Sequence, residues 1–187
     1  LYSIDKATSL LLDTLYVPSP NCDERPDESD ISLIVVHNIS LPPGEFGGSY
    51  IEQFFTNQLD ANAHPFFATI ADTRVSAHLL VRRDGEVVQF VPFTRRAWHA
   101  GVSCFAERDC CNDYSIGIEL EGTDDTPYTE QQYVQLAELV VTLMAHYPAI
   151  KRDRITGHCD IAPARKTDPG PAFEWSKLFH VLDARLG

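Results

Sequence analysis

The chain has 187 residues, 44% hydrophobic and 22% charged, which suits one globular domain and leaves too little for a second full-sized one. Fifteen basic residues against 27 acidic ones give a net charge of −12, which argues against nucleic-acid partners and docking on anionic membranes, since both need a basic face. No apolar run reaches the length of a membrane span.

Residues 1–30, dense in Asp, Glu and Pro, read as an acidic leading segment packed on a single domain formed by 31–187. The run Leu10-Leu11-Leu12 is cut by Asp13 and preceded by only one basic residue, Lys6, so it lacks the form of a secretory signal. Ser32 to His37 is short, β-branched and bounded by turn residues, the pattern of a buried strand. After the Pro- and Gly-rich loop 41–48, Tyr50, Ile51, Phe54, Phe55 and Leu59 recur at helical spacing. The aromatic stretch 60–73 is irregular and is expected to form a lid or wall.

Val75–Val81 and Glu86–Val91 flank Arg83-Asp84-Gly85, and Asp-Gly between β-rich runs predicts a hairpin. In Ser115–Glu121 the residues alternate, with Ile116, Ile118 and Leu120 on one face and Gly117, Glu119 and Glu121 on the other. Thr129-Glu130-Gln131-Gln132 has the form of a capping box, and Tyr133, Leu136, Ala137, Val140, Met144 and Tyr147 trace one helical face up to Pro148. Trp175, Leu178, Phe179 and Leu182 mark a final amphipathic helix. Strands interleaved with helices, and at least one hairpin, predict an α/β (α+β) fold with a central mixed β-sheet flanked by helices.

The cysteines, Cys22, Cys104, Cys110, Cys111 and Cys159, are odd in number, and none has C-x-x-C spacing. That pattern suits free thiols in a reducing compartment rather than a disulfide framework or a thiolate metal site. Arg74, Arg82, Arg83, Arg95 and Arg96 form a local basic strip, either a receptor for an anionic ligand or simply solvated arginines.

Three distant residues have the make-up of one zinc centre. His37 ends an apolar strand, His158 follows Thr156-Gly157, and Asp168 sits in the stiff run Lys166-Thr167-Asp168-Pro169-Gly170-Pro171. Two imidazoles and a carboxylate leave a tetrahedral zinc one position for water. Hydrolysis also needs a proton carrier, and Glu119 is the candidate, with Gly117 on its face leaving space for a ligand; Glu121 shares that face. Lys166, two residues before Asp168, is placed to neutralise charge developing on a carbonyl oxygen. His78 reads as a structural strand residue, whereas His99 and Trp98 suit either packing or a pocket wall, the indole offering a surface for a sugar ring.

Val35-Val36-His37-Asn38, Val75-Ser76-Ala77-His78 with Arg83-Asp84-Gly85, Arg96-Ala97-Trp98-His99-Ala100-Gly101, Ile116-Gly117-Ile118-Glu119, Thr156-Gly157-His158 and Lys166–Pro171 occur in family order. On these motifs the chain, over roughly residues 31–182, resembles the zinc-dependent N-acetylmuramoyl-L-alanine amidases with a peptidoglycan recognition protein-like fold. Among these it looks most like the AmpD-type 1,6-anhydro-N-acetylmuramyl-L-alanine amidases. The resemblance implies zinc on His37, His158 and Asp168, proton transfer by Glu119 and oxyanion stabilisation by Lys166. It also implies an anhydromuropeptide substrate, bound by Asn38, Arg74, Ala97 and Trp98 and cut between the lactyl carbonyl and L-alanine. The implied setting is cytoplasmic cell-wall recycling, where the activity lowers a β-lactamase-inducing signal, with no obligate protein partner. Two positions depart from related patterns: Ala77 stands where phage-type amidases carry a catalytic Tyr, and Cys110 where the branch often has a basic residue. An envelope amidase acting on polymeric peptidoglycan and a muropeptide-binding module without catalysis are the alternatives.

Overall fold

The computed structural model describes all 187 residues. In chain order the elements are β1 (Leu15–Tyr16), β2 (Cys22–Glu24), β3 (Leu33–Ile39), α1 (Tyr50–Phe55), β4 (Leu79–Val81), β5 (Val87–Gln89), β6 (Arg95–Ala97), β7 (Cys104–Phe105) and β8 (Arg108–Asp109). They continue with β9 (Ser115–Glu121), α2 (Glu130–His146), β10 (Ile155–Gly157), α3 (His158–Ile161) and α4 (Trp175–Leu186). Six strands form the central sheet in the order β1-β5-β4-β9-β3-β10. Only β4 and β5 pair antiparallel; every other neighbour is parallel. The sheet is mixed, as the interleaved sequence pattern predicts.

The two faces of this sheet carry different work, and the period-2 alternation of β3 and β9 divides them. Ile34 and Val36 of β3 join Ile116, Ile118 and Leu120 of β9 against Leu136, Val140 and Leu143 of α2 and Leu178 and Leu182 of α4. Burying each such aliphatic side chain contributes roughly 1.5–3 kcal/mol. The capping box of α2 is also present: Thr129 Oγ1 accepts from Gln132 N at 3.2 Å, and Gln132 Oε1 accepts from Thr129 N at 3.1 Å. A cap contributes about 1 kcal/mol, so packing against the sheet outweighs capping in holding this helix. On the opposite face, Leu33 and Val35 belong to a small separate cluster with Ala100 and Tyr114. His37 continues that face and lies in register with Glu119.

Several boundaries differ from the predicted ones. The 50–59 helix stops at Phe55, because Asn57 adopts a left-handed conformation (φ 61°) and turns the chain before Leu59. In the predicted hairpin only Leu79–Val81 and Val87–Gln89 pair as strands. His78 still accepts from Phe90 N across the hairpin, but the earlier part of the first run turns to another partner, Ser76 N donating to Trp98 O. The 60–73 stretch, expected as a lid or wall, has a single helical turn at Phe67–Thr69 with the Phe67 ring fully buried.

The leading residues are built into the domain. β1 extends the sheet edge beside β5, and β2 pairs with β6. Arg25 is buried, and its guanidinium donates to the carbonyl oxygens of Phe93, Asn112, Asp113 and Ser115 at 2.7–3.1 Å. These four acceptors compensate for burying a cation with no carboxylate beside it. The pairing also accounts for much of the basic strip: Arg82 binds Glu52 and Glu86, and Arg96 binds Asp23 and Asp113. No helix is long and apolar enough to cross a membrane, and all five cysteines are free thiols.

Candidate active site

At the carboxyl ends of β3, β9 and β10 the chain opens a cavity of about 720 Å³, the edge of a parallel sheet where ligands characteristically bind. His37 reaches it from β3 and Glu119 from β9; His158 is the first residue beyond β10. Asp168 comes from the loop that follows α3. That loop is fixed at several points: Cys159 N donates to Asp168 O (2.8 Å), and Tyr128 Oη and Asn38 Nδ2 donate to Pro169 O (2.7 and 3.1 Å). Gly170 (φ 81°) is required here, since a Cβ would lie 2.2 Å from the Asp124 Cα.

His37 Nδ1, His158 Nδ1 and Asp168 Oδ2 form a triangle with edges of 2.9, 3.0 and 3.1 Å. The outer nitrogen of His158, Nε2, donates to the Ala100 carbonyl oxygen at 3.1 Å. A carbonyl can only accept, so the proton sits on Nε2 and Nδ1 is bare. The outer nitrogen of His37, Nε2, faces His99 Nδ1 at 2.9 Å, and His99 Nε2 faces Ser115 Oγ at 3.1 Å. Protons running outward along that chain would leave Nδ1 of His37 bare too. In that state three electron-pair donors converge, an arrangement that calls for a cation. Two imidazoles and a carboxylate are a zinc donor set with an open position, so the residues fit the metal.

Electrostatics agree with the geometry. Burial lowers His37 to about 4, against a smaller upward pull from Asp168, so its imidazole is neutral at pH 7 and able to ligate. Burial alone would raise the Asp168 carboxyl, but the contacts with His158 and His37 outweigh it and hold the group well below the usual carboxylate range. Glu119 goes the other way. Burial, reinforced by the nearby Asp168 charge and opposed by Lys166, pushes its carboxyl well above the ordinary value. Its Oε2 is buried without a partner, and its side chain lines the cavity.

The two carboxylates of β9 are thereby told apart. Glu121 Oε1 accepts from Gly47 N at 2.5 Å and its Oε2 from Arg83 N at 3.1 Å, with Arg82 3.5 Å away. Those contacts tie it to loop 41–48 and to the hairpin turn, whereas Glu119 retains a free oxygen.

Lys166 lines the cavity. Trp98 is half-buried in the cavity wall. Asn38 also lines it, but its amide group is engaged with Asp124 Oδ1 (2.9 Å) and Pro169 O. Arg74 is exposed beside Thr73 and Val75, two wall residues, and donates only to backbone oxygens of its own turn. Ala97 departs from the expectation that it lines the groove: β6 turns its side chain inward, where it is fully buried in the cluster with Phe55 and Phe90.

The space expected above Gly117 is filled rather than open. A Cβ there would meet His99 Cγ at 2.5 Å, so Gly117 makes room for the His99 ring. His78 is the structural residue predicted: its Nδ1 accepts from Gly117 N and its Nε2 donates to Arg95 O, both at 3.0 Å. Arg108, the basic residue near Cys110, is taken up by Asp30 and by the Tyr114 ring 3.8 Å from its guanidinium carbon. Sequence reading missed Arg165, which lines the cavity and donates to Ala100 O and Val102 O at 2.7 and 2.8 Å. Its only signal was adjacency to Lys166.

The N-acetylmuramoyl-L-alanine amidase family model matches residues 27–171. A Salmonella typhimurium protein named 1,6-anhydro-N-acetylmuramyl-L-alanine amidase AmpD is 64% identical over 168 residues, covering 90% of this chain and 89% of that protein. A crystal structure of a selenomethionine AmpD derivative superposes with a TM-score of 0.92 at 58% identity, covering 96% of this chain and 99% of the other. The Escherichia coli amidase AmiD, in complex with the substrate anhydro-N-acetylmuramic acid-L-Ala-D-γ-Glu-L-Lys, gives a TM-score of 0.61 at 28% identity, over 95% of this chain and 65% of that one. With the family model spanning the metal triangle, the Glu119 strand and most of the sheet, the chain belongs to the N-acetylmuramoyl-L-alanine amidase family.

Proposed function

We propose that this protein is a zinc amidase that hydrolyses the amide joining the lactyl group of 1,6-anhydro-N-acetylmuramic acid to L-alanine in anhydromuropeptides. The observation that carries the reading is the convergence of two imidazole nitrogens and a carboxylate oxygen, 2.9–3.1 Å apart, beside the unpartnered, buried oxygen of Glu119. Relatives over 60% identical that carry the corresponding activity in their names supply the substrate class.

His37, His158 and Asp168 hold the metal in this reading. Zinc bound there supplies Lewis acidity, activating water and polarising the amide carbonyl. Glu119 takes the proton from the attacking water and returns it to the departing alanine nitrogen, a task for which a raised carboxyl pKa is suited. The Lys166 ammonium group offsets the negative charge that develops on the former carbonyl oxygen. Trp98 offers its indole face to the sugar, Arg74 meets stem-peptide carboxylates, and Asn38 lines the ligand cavity while its amide holds the Asp168 loop. Ala97 acts from behind, packing β6 so that Trp98 stays in the wall.

Five free thiols support a reducing, cytoplasmic setting. The deciding experiment is mass spectrometry of anhydromuramyl-tripeptide incubated with the protein, with chelator and with zinc restored. Release of tripeptide and anhydromuramyl sugar, abolished by chelator and recovered with zinc, is the expected result. Intact substrate with a full complement of bound zinc would refute the substrate assignment and direct the assay to intact sacculi.

A further inference from the structure

Both histidines of the metal triangle turn their outer nitrogens to the same short stretch of chain. His99 meets Nε2 of His37, and the Ala100 carbonyl meets Nε2 of His158. The two contacts come from adjacent residues, yet the histidines they serve lie 121 positions apart. The stretch is itself held: Asn112 Oδ1 accepts from His99 N at 3.2 Å and from Ala100 N at 2.8 Å. Arg165 donates to the same Ala100 oxygen that receives His158, and the far nitrogen of His99 ends on Ser115 Oγ. The absence of a side chain at Gly117 is what lets the His99 ring lie there.

An imidazole can carry its proton on either nitrogen, and only a bare Nδ1 can ligate at this site. The partner of the outer nitrogen decides which form is present and which way the ring faces. Ala100 O settles the matter for His158, because it can only accept. For His37 the choice depends on the direction of the His99–Ser115 chain, since a hydroxyl both donates and accepts.

We propose that the pair His99-Ala100 is the orienting frame of the metal centre, with His99 a positioning residue whose Nδ1 accepts from His37 Nε2 and so holds Nδ1 of His37 bare toward the ion. The inference rests on the reading of His37, His158 and Asp168 as zinc ligands. His99 itself touches neither metal nor substrate in this role.

Zinc affinity of the full chain, measured by competition against a chromogenic chelator, tests it in wild type, H99F, H99N and S115A. Phenylalanine keeps a ring over Gly117 but cannot accept a hydrogen bond. Asparagine keeps an acceptor near the Nδ1 position. H99F is expected to weaken zinc binding about 10- to 100-fold, H99N to restore most of that loss, and S115A to fall between. Nitrogen-15 histidine NMR of the metal-free wild type should show His37 protonated on Nε2 and H99F should lose that preference, a signature that a merely space-filling His99 would not fix. Urea unfolding of the metal-free variants checks that each is folded; S115A, which leaves the ring in place, keeps the test open if H99F is not. Wild-type affinity in H99F, or equal weakening in H99F and H99N, would overturn the positioning role while leaving the zinc reading intact. Failure of the wild type to bind zinc would instead overturn both.

Discussion

Replacing Gly117 by alanine tests how tightly the sheet and the site are joined. The new methyl would lie 2.5, 2.6 and 2.8 Å from Cγ, Nδ1 and Cδ2 of His99, where ordinary contact begins at 3.4 Å. The ring would have to withdraw by about 1 Å, well inside the range where repulsion is steep. It is not the free end of a flexible side chain: its nitrogens contact His37 and Ser115, and its backbone is held by Asn112. Nor can β9 back away, because Gly117 is bonded to His78 through both its N–H and its carbonyl and pairs with Val35 across β3. Overpacking of this kind costs about 1–3 kcal/mol. Urea unfolding of metal-free G117A should therefore show a lower midpoint with an unchanged slope, and zinc affinity should fall as the His99–His37 contact is displaced. Wild-type stability together with wild-type zinc affinity would refute the claim that Gly117 exists to seat His99.

Asp168→Ala should abolish stoichiometric zinc binding, measured by metal analysis after gel filtration, because two histidines alone remain. Glu119→Gln should keep zinc yet reduce turnover of anhydromuramyl-tripeptide by about 10²- to 10⁴-fold, the usual contribution of a general acid–base group; near-normal turnover would remove Glu119 from the mechanism. The same variant has a pH signature in the metal-free protein. Because the folded-state value of Glu119 is raised, its stabilising contribution is complete below the unfolded value near 4.5 and is lost as pH rises through the folded value. Melting temperatures of wild type and E119Q should thus separate in favour of E119Q as pH increases above 4.5, and parallel curves would contradict the raised value. Thr129→Ala should destabilise by about 1 kcal/mol in urea with turnover unchanged, since α2 lies on the sheet face away from the cavity.

Legibility of this chain in its sequence followed the type of signal. Alternation in 115–121 and the apolar run ending at His37 identified both central strands, and the capping box at Thr129 located the start of α2, because each is a local pattern with a local cause. The hairpin strands are shorter than the pattern predicts: Val75–Ala77 is β-rich, yet Ser76 bonds Trp98 rather than the second run, which no local pattern reveals. The donor triangle was readable because the residue types are rare in such settings. Its supporting shell was not. His99 in sequence is one histidine among seven, and its role appears only once strand pairing brings it over Gly117. Glu119 and Glu121 were likewise indistinguishable from alternation alone, since what separates them is the backbone of a loop more than 70 residues away.

That separation explains how one strand can carry both a structural and a reactive carboxylate. A buried carboxylate is tolerated when donors surround it and becomes strained toward protonation when they do not. Glu121 receives two backbone N–H groups, which also fix the loop bordering the cavity. Glu119, two residues earlier on the same face, has a buried oxygen with no donor and only Lys166 to oppose the effects of burial and of Asp168. Giving Glu119 a donor would ease its burial, but it would also lower the carboxyl toward the ordinary range and take away the proton-holding capacity that the reaction needs. The missing hydrogen bond is thus a local cost in stability that the packed face under α2 and α4 is large enough to absorb.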